Sequence, residues 1–132
     1  MTPRAEAWLR QATSDFGVAE LTASQGYHAQ ACYHAGQAAE KALRALLVAS
    51  GATPPYSHSL PKLVEMLEQI GLDLGPLQDL QLKQLSRMAS ESRYPQAEEA
   101  PMDRFDAHDS TPALAMAGTV IAFASQTLNA PD

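Results

Sequence analysis

The chain has 132 residues, 45 % of them hydrophobic and 18 % charged, with 9 Lys and Arg against 15 Asp and Glu for a net charge of −6. That length suits a single domain over 1–132, long enough to bury a core without a disulfide or metal staple, and the lone Cys32 has no partner within the chain. The acidic balance argues against a protein built mainly to coat phosphate backbones. The apolar runs read as too short for a membrane span and the opening Met1-Thr2-Pro3-Arg4-Ala5-Glu6 as no signal peptide, so a cytoplasmic protein is expected.

Aromatic residues make up only 6 % of the chain and alanine is its commonest residue, a composition that favours closely packed helices over sheets. The first predicted helix runs from about Pro3 to Ala23, with Ala5, Trp8, Leu9, Ala12, Phe16, Ala19 and Ala23 at steps that place them on one stripe. Gly26 separates it from a second helix, about Tyr27 to Ser50, whose stripe (Ala31, Ala35, Ala38, Ala42, Leu46, Ala49) is made mostly of small residues. Small residues admit close neighbours, so this helix is expected at the centre. Gly51 and Pro54-Pro55 end it.

Ser57-His58-Ser59-Leu60-Pro61 reads as a helix start with a hydroxyl cap and an early proline, and Leu60, Leu63, Val64, Leu67 and Ile70 complete a short amphipathic helix closed by Gly71. Gly75-Pro76 opens a fourth helix with Leu77, Leu80, Leu85, Met88 and Ala89 facing inward. From Ser92 to Ser110 the periodicity fails, and Pro95 and Pro101 predict an irregular segment. Thr111-Pro112 is expected to start the last helix, which reaches about Leu128 and carries apolar residues on more than one face. Such an excess predicts a partner surface or deep burial, and Met116, Val120 and Phe123 are the expected dimer contacts. The sum is an all-α, antiparallel four-helix bundle with one additional short helix, its core at about 3–128.

Three marks stand out in order: Gln37-Ala38-Ala39-Glu40-Lys41-Ala42-Leu43-Arg44-Ala45-Leu46-Leu47, then His58-Ser59-Leu60, then Arg93-Tyr94-Pro95. Together they resemble the HEPN family (higher eukaryotes and prokaryotes nucleotide-binding) over roughly residues 5 to 128. The resemblance implies a helical bundle that commonly forms homodimers. Many prokaryotic members pair with a small nucleotidyltransferase as toxin and antitoxin, and the toxic members are metal-independent RNases in which four to six residues intervene between an Arg and a following His. Other members lack that motif and bind nucleotides or partner proteins.

This chain departs from the catalytic pattern. Neither Arg87 nor Arg93 has a His at the family distance, and between Arg104 and His108 only Phe105, Asp106 and Ala107 intervene. Metal-free RNA cleavage needs a base, an acid and a cation for the charged phosphorane. On a helix, Arg104 and His108 would share a face at i, i+4, but Asp103, Asp106 and Asp109 surround them and repel phosphate. An RNase using this pair is therefore the alternative reading.

The leading reading is a bundle that acts through homodimerisation and binding of a nucleotidyltransferase partner, a nucleotide, or both. Arg93 suits bidentate phosphate binding, and Tyr94 suits stacking on a base; the plainer reading packs Tyr94 on the bundle and pairs Arg93 with Glu91 or Glu40. His58 is expected to fix its loop by hydrogen bonding. Tyr27, His34 and Lys41, seven apart, align on one face that is either a groove or a solvated side. No Glu is followed by a His three residues later, so no di-iron pattern exists, and no cofactor or metal is expected. Cys32 reads as a buried spacer.

Overall fold

In the computed structural model, which describes residues 2–130, the regular structure is entirely helical, with no strand among those residues. Helix α1 spans Pro3–Ser24 and begins on Thr2, whose hydroxyl accepts from the Ala5 amide at 3.2 Å. Its fully buried residues are Ala5, Ala12 and Ala19, one every seven positions. Helix α2, His28–Ala49, follows after a tight turn in which Gly26 takes φ +85°, a conformation that costs other residues a Cβ clash. The α1 alanines meet the small-residue stripe of α2, so two long helices lie against each other with almost no side-chain bulk between them. Close approach maximises dispersion contacts per residue, which compensates for the little apolar area each alanine offers.

Helix α3, Leu60–Gln69, starts where expected, with Ser59 capping the Lys62 amide and Pro61 in the first turn. The expected fourth helix is in fact two: a single turn, α4, at Gly75–Gln78, and α5 at Leu82–Glu91. The chain breaks between them at Asp79–Gln81, which allows Leu77 and Leu82 both to be buried although they point from different local axes. Helix α6, Pro101–Arg104, is a single turn inside the segment expected to be irregular.

Helix α7, Ala107–Leu128, starts four residues before the expected Thr111. The Asp106 carboxylate accepts from the His108 amide at 2.8 Å while Asp109 returns a bond to the Asp106 amide at 3.0 Å. This reciprocal acidic cap also suits the positive end of the helix dipole. Pro112 is the sixth residue of the helix, inside it, where it removes one backbone bond and crowds the carbonyl four residues back. From Ser110 to Leu128 this helix has no charged residue, and at about 33 Å it is long and apolar enough to cross a bilayer. In the bundle its Ala113, Met116, Ala117, Val120 and Ala124 are core residues.

Helix α2 is the hub and packs against α1, α3, α5, α6 and α7. That arrangement corrects the expected dimer contacts. Met116 and Val120 are covered by their own chain, at 8 % and 0 % exposure, and Phe123 is partly buried against the same core. The inward face of α7 is consumed by α1 and α2, so any partner surface on it lies on the opposite side, around Ala115 and Ala122.

Candidate functional site

Midway along α2 the apolar stripe admits two charged residues, Glu40 and Arg44, one helical turn apart and both buried. A buried charge is tolerable only when fully paired, and here every group has a partner. The Arg44 Nε donates to Glu40 Oε2 at 3.0 Å, its Nη1 to the Pro55 carbonyl at 3.0 Å and its Nη2 to the Ser57 carbonyl at 2.8 Å. The guanidinium thereby fixes the loop that carries His58, whose Nδ1 lies 3.1 and 3.2 Å from the two Glu40 oxygens. A carboxylate only accepts, so Nδ1 carries the proton in this bond and Nε2 is left for other contacts. The imidazole is 80 % exposed.

Helix α5 forms the opposite wall. Gly36 of α2 faces Ala89 so closely that a Cβ there would stand 2.4 Å from the Ala89 Cβ. The Ser86 hydroxyl accepts from the Leu60 amide at 2.8 Å, which ties α5 to the start of α3. Between these elements lies a cavity of about 280 Å3, lined by Tyr33, Gln37 and Glu40 from α2, His58 from the loop, and Ser86, Ser90 and Arg93 from α5 and its end. The Arg93 guanidinium carbon sits 5.4 Å from the centroid of the Tyr33 ring and 5.3 Å from that of Tyr94, within cation–π range of both. Among the described residues no acid pairs with Arg93; Glu40, one of the two partners expected for it, is already held by Arg44 and His58.

The structure thus brings His58 and Arg93 to one cavity, with Tyr94 against Arg93 at its rim. Other residues of interest lie apart from it. Lys41 is ion-paired with Asp15 of α1, which removes it as a free cation for a nucleotide. His34 packs edge-on against Tyr33 at 5.2 Å between centroids, and Tyr27 is an exposed residue at the start of α2. None of these three lines the cavity.

Arg104 and His108 do not share a helix face. Residues 105 and 106 are extended between α6 and α7, so the i, i+4 relation does not exist. Arg104 donates from Nη2 to the Glu91 carbonyl at 2.8 Å and lies 5.5 Å over the Phe105 ring, bracing the loop after α5. His108 is 97 % exposed, with its Nδ1 3.4 Å from Asp106. Arg104 is thus engaged with the loop after α5, while the His108 side chain stands in solvent. Sequence reasoning missed Arg44, Ser86 and Ser90 as parts of the site. A signal for the first was present: an Arg one turn after a Glu on a helix face otherwise made of Ala and Leu requires a buried partner.

A HEPN domain model matches residues 5–127 of this chain. The chain belongs to the HEPN family. Its HEPN domain superposes on the crystal structure of TT1696 from Thermus thermophilus with a TM-score of 0.85, at 28 % identity over 95 % of this chain and 98 % of that one. It also superposes on ST0689, an archaeal HEPN homologue, with a TM-score of 0.74 at 22 % identity, covering 98 % of this chain and 100 % of that one. No curated protein matches. The three marks that carry the HEPN resemblance are thus joined in space, since Gln37 and Glu40, His58, and Arg93 all border one HEPN cavity.

Proposed function

We propose that this HEPN domain works by binding rather than by catalysis, engaging a nucleotide, a partner protein such as a small nucleotidyltransferase, or both, and that it does so as a homodimer in a toxin–antitoxin or defence setting. One observation carries the reading: residues from the three separated sequence marks line a single cavity, while the one Arg/His pair near the RNase spacing is taken apart by the α6–α7 break. A cavity with convergent polar groups beside a stacked guanidinium is suited to recognition of a planar or anionic ligand. The α7 face opposite the core supplies an uncharged surface on which two copies can meet.

Two assays on the purified chain test this reading. The first is RNA cleavage in the presence of EDTA. The expected result is no turnover, and turnover abolished by Arg104→Ala or His108→Ala would replace this reading with the RNase. The second is calorimetric titration with nucleotides or with a nucleotidyltransferase encoded beside it, where binding weakened by Arg93→Met is expected.

A further inference from the structure

We infer that the cavity between His58 and Arg93 is a phosphoryl site, and that its ligand is a phosphate monoester whose organic part lies across Arg93 in a second, apolar depression. The inference deepens the nucleotide-binding reading above and rests on it.

The charge of the cavity comes first. Glu40 is the one acid in its lining, and its carboxylate is committed to Arg44 and to the His58 Nδ1 proton. With His58 Nδ1 held by Glu40, the lining leaves the His58 Nε2, the Arg93 guanidinium, the Gln37 amide and the Ser86 and Ser90 hydroxyls as polar groups for a ligand. These are donors suited to an oxyanion. Either protonation state of His58 serves: as imidazolium its Nε2 donates to a phosphate oxygen, and as neutral imidazole it accepts from the O–H of a monoester monoanion. Arg93 has no competing acid among the described residues, so no internal ion pair must be broken for it to turn its planar fork to a ligand. Its cation–π contacts with Tyr33 and Tyr94 restrict where the guanidinium can lie, which reduces the ordering cost of binding.

The shape gives the rest of the ligand. Tyr33 and Arg93 border a second depression of about 380 Å3 on their other side, with Ala29, Pro101 and Met102 in its wall. Met102 is 76 % exposed and offers its apolar side chain to a ligand in that depression. One guanidinium thus stands between a polar compartment with a buried acid–base brace and a largely apolar one. A phosphate ester that spans Arg93 would place its phosphoryl group on the His58 side and its organic group on Met102.

The test is calorimetry on the intact chain with three probes: inorganic phosphate, adenosine monophosphate and adenosine. Phosphate and the monophosphate are expected to bind, and the monophosphate more tightly. Arg93→Met and His58→Ala are each expected to weaken both by about tenfold or more, that is at least about 1.4 kcal/mol. Met102→Asp should erase the advantage of the monophosphate over phosphate and leave phosphate binding intact. Arg87→Met removes an exposed cation of α5 that lines a different groove, and should change nothing. All four side chains are exposed, and circular dichroism of each variant checks the fold. Phosphate binding that survives Arg93→Met, or no phosphate binding at about 10 mM, would overturn the inference. Adenosine binding as tightly as its monophosphate would also overturn it while leaving the nucleotide reading in place. No binding of any of the three would remove both.

Discussion

A single side chain, Arg44, shows how this molecule sets out its site. It cannot be solvated in the middle of α2, so it takes a carboxylate and two loop carbonyls, and in doing so holds the loop that presents His58. Removing it would leave Glu40 charged and under-partnered in a buried position, the costly half of a broken pair. Cys32 is the contrasting case. It is fully buried, and burial, with a smaller contribution from the negative charge of Asp109, pushes its thiol up to about 12. A folded-state value above the ordinary 9.0 means that the unfolded chain loses this proton first as pH rises. The folded state therefore loses stability between about pH 9 and pH 12 through this group and gains nothing from it below pH 9. Only a thiolate reacts, so Cys32 in the native protein is expected to resist a disulfide reagent at neutral pH and to react at once in denaturant. Stoichiometric labelling without denaturant would refute this.

At the scale of elements, the decisive contact is α2 against α5. Both walls of the cavity are positioned by the approach of Gly36 to Ala89, which leaves no room for even one methyl group. Gly36→Ala is expected to push α5 outward and to destabilise the fold by about 1–3 kcal/mol, against the usual helix-propensity gain of replacing a glycine. Since Ser86, Ser90 and Arg93 move with α5, the same variant should weaken ligand binding at temperatures where it remains folded. Urea denaturation and calorimetry on one preparation read both effects; unchanged stability would mean that α5 is not held by this contact. The helix starts are set locally by comparison. Thr2, Ser59 and Asp106 each cap the helix that follows with their own side chain.

At the scale of the whole molecule, the proposed homodimer makes separate predictions for the two faces of α7. Val120 is fully buried in its own chain, so Val120→Ala is expected to lower stability by about 2 kcal/mol through a core cavity without changing the state of assembly except through unfolding. Ala122→Arg, on the outward face, is expected to leave the fold intact and to shift a dimer toward monomer. Sedimentation of the two variants over a range of concentrations separates these effects, and a dimer insensitive to Ala122→Arg would place the interface elsewhere.

The helical class, the central place of α2, the cap at Ser59 and the stop at Gly51 were legible from the chain, because periodicity, small-residue stripes and capping residues act over a few residues. The three HEPN marks were legible for the same reason, each being a short run with its own spacing. What only the tertiary structure decided is where separated runs meet. The α4–α5 break accompanies the burial of both Leu77 and Leu82, and the early start of α7 falls at the acidic cap on Asp106, with Pro112 inside the helix. The commitment of Lys41 to Asp15, of Glu40 to Arg44 and His58, and of Arg104 to the Glu91 carbonyl are pairings across helices and loops. Charge has no periodicity that names its partner. Sequence could therefore supply the cations and acids of this protein, and only the packing of α5 and the α3 loop onto α2 determined which remain free for a ligand.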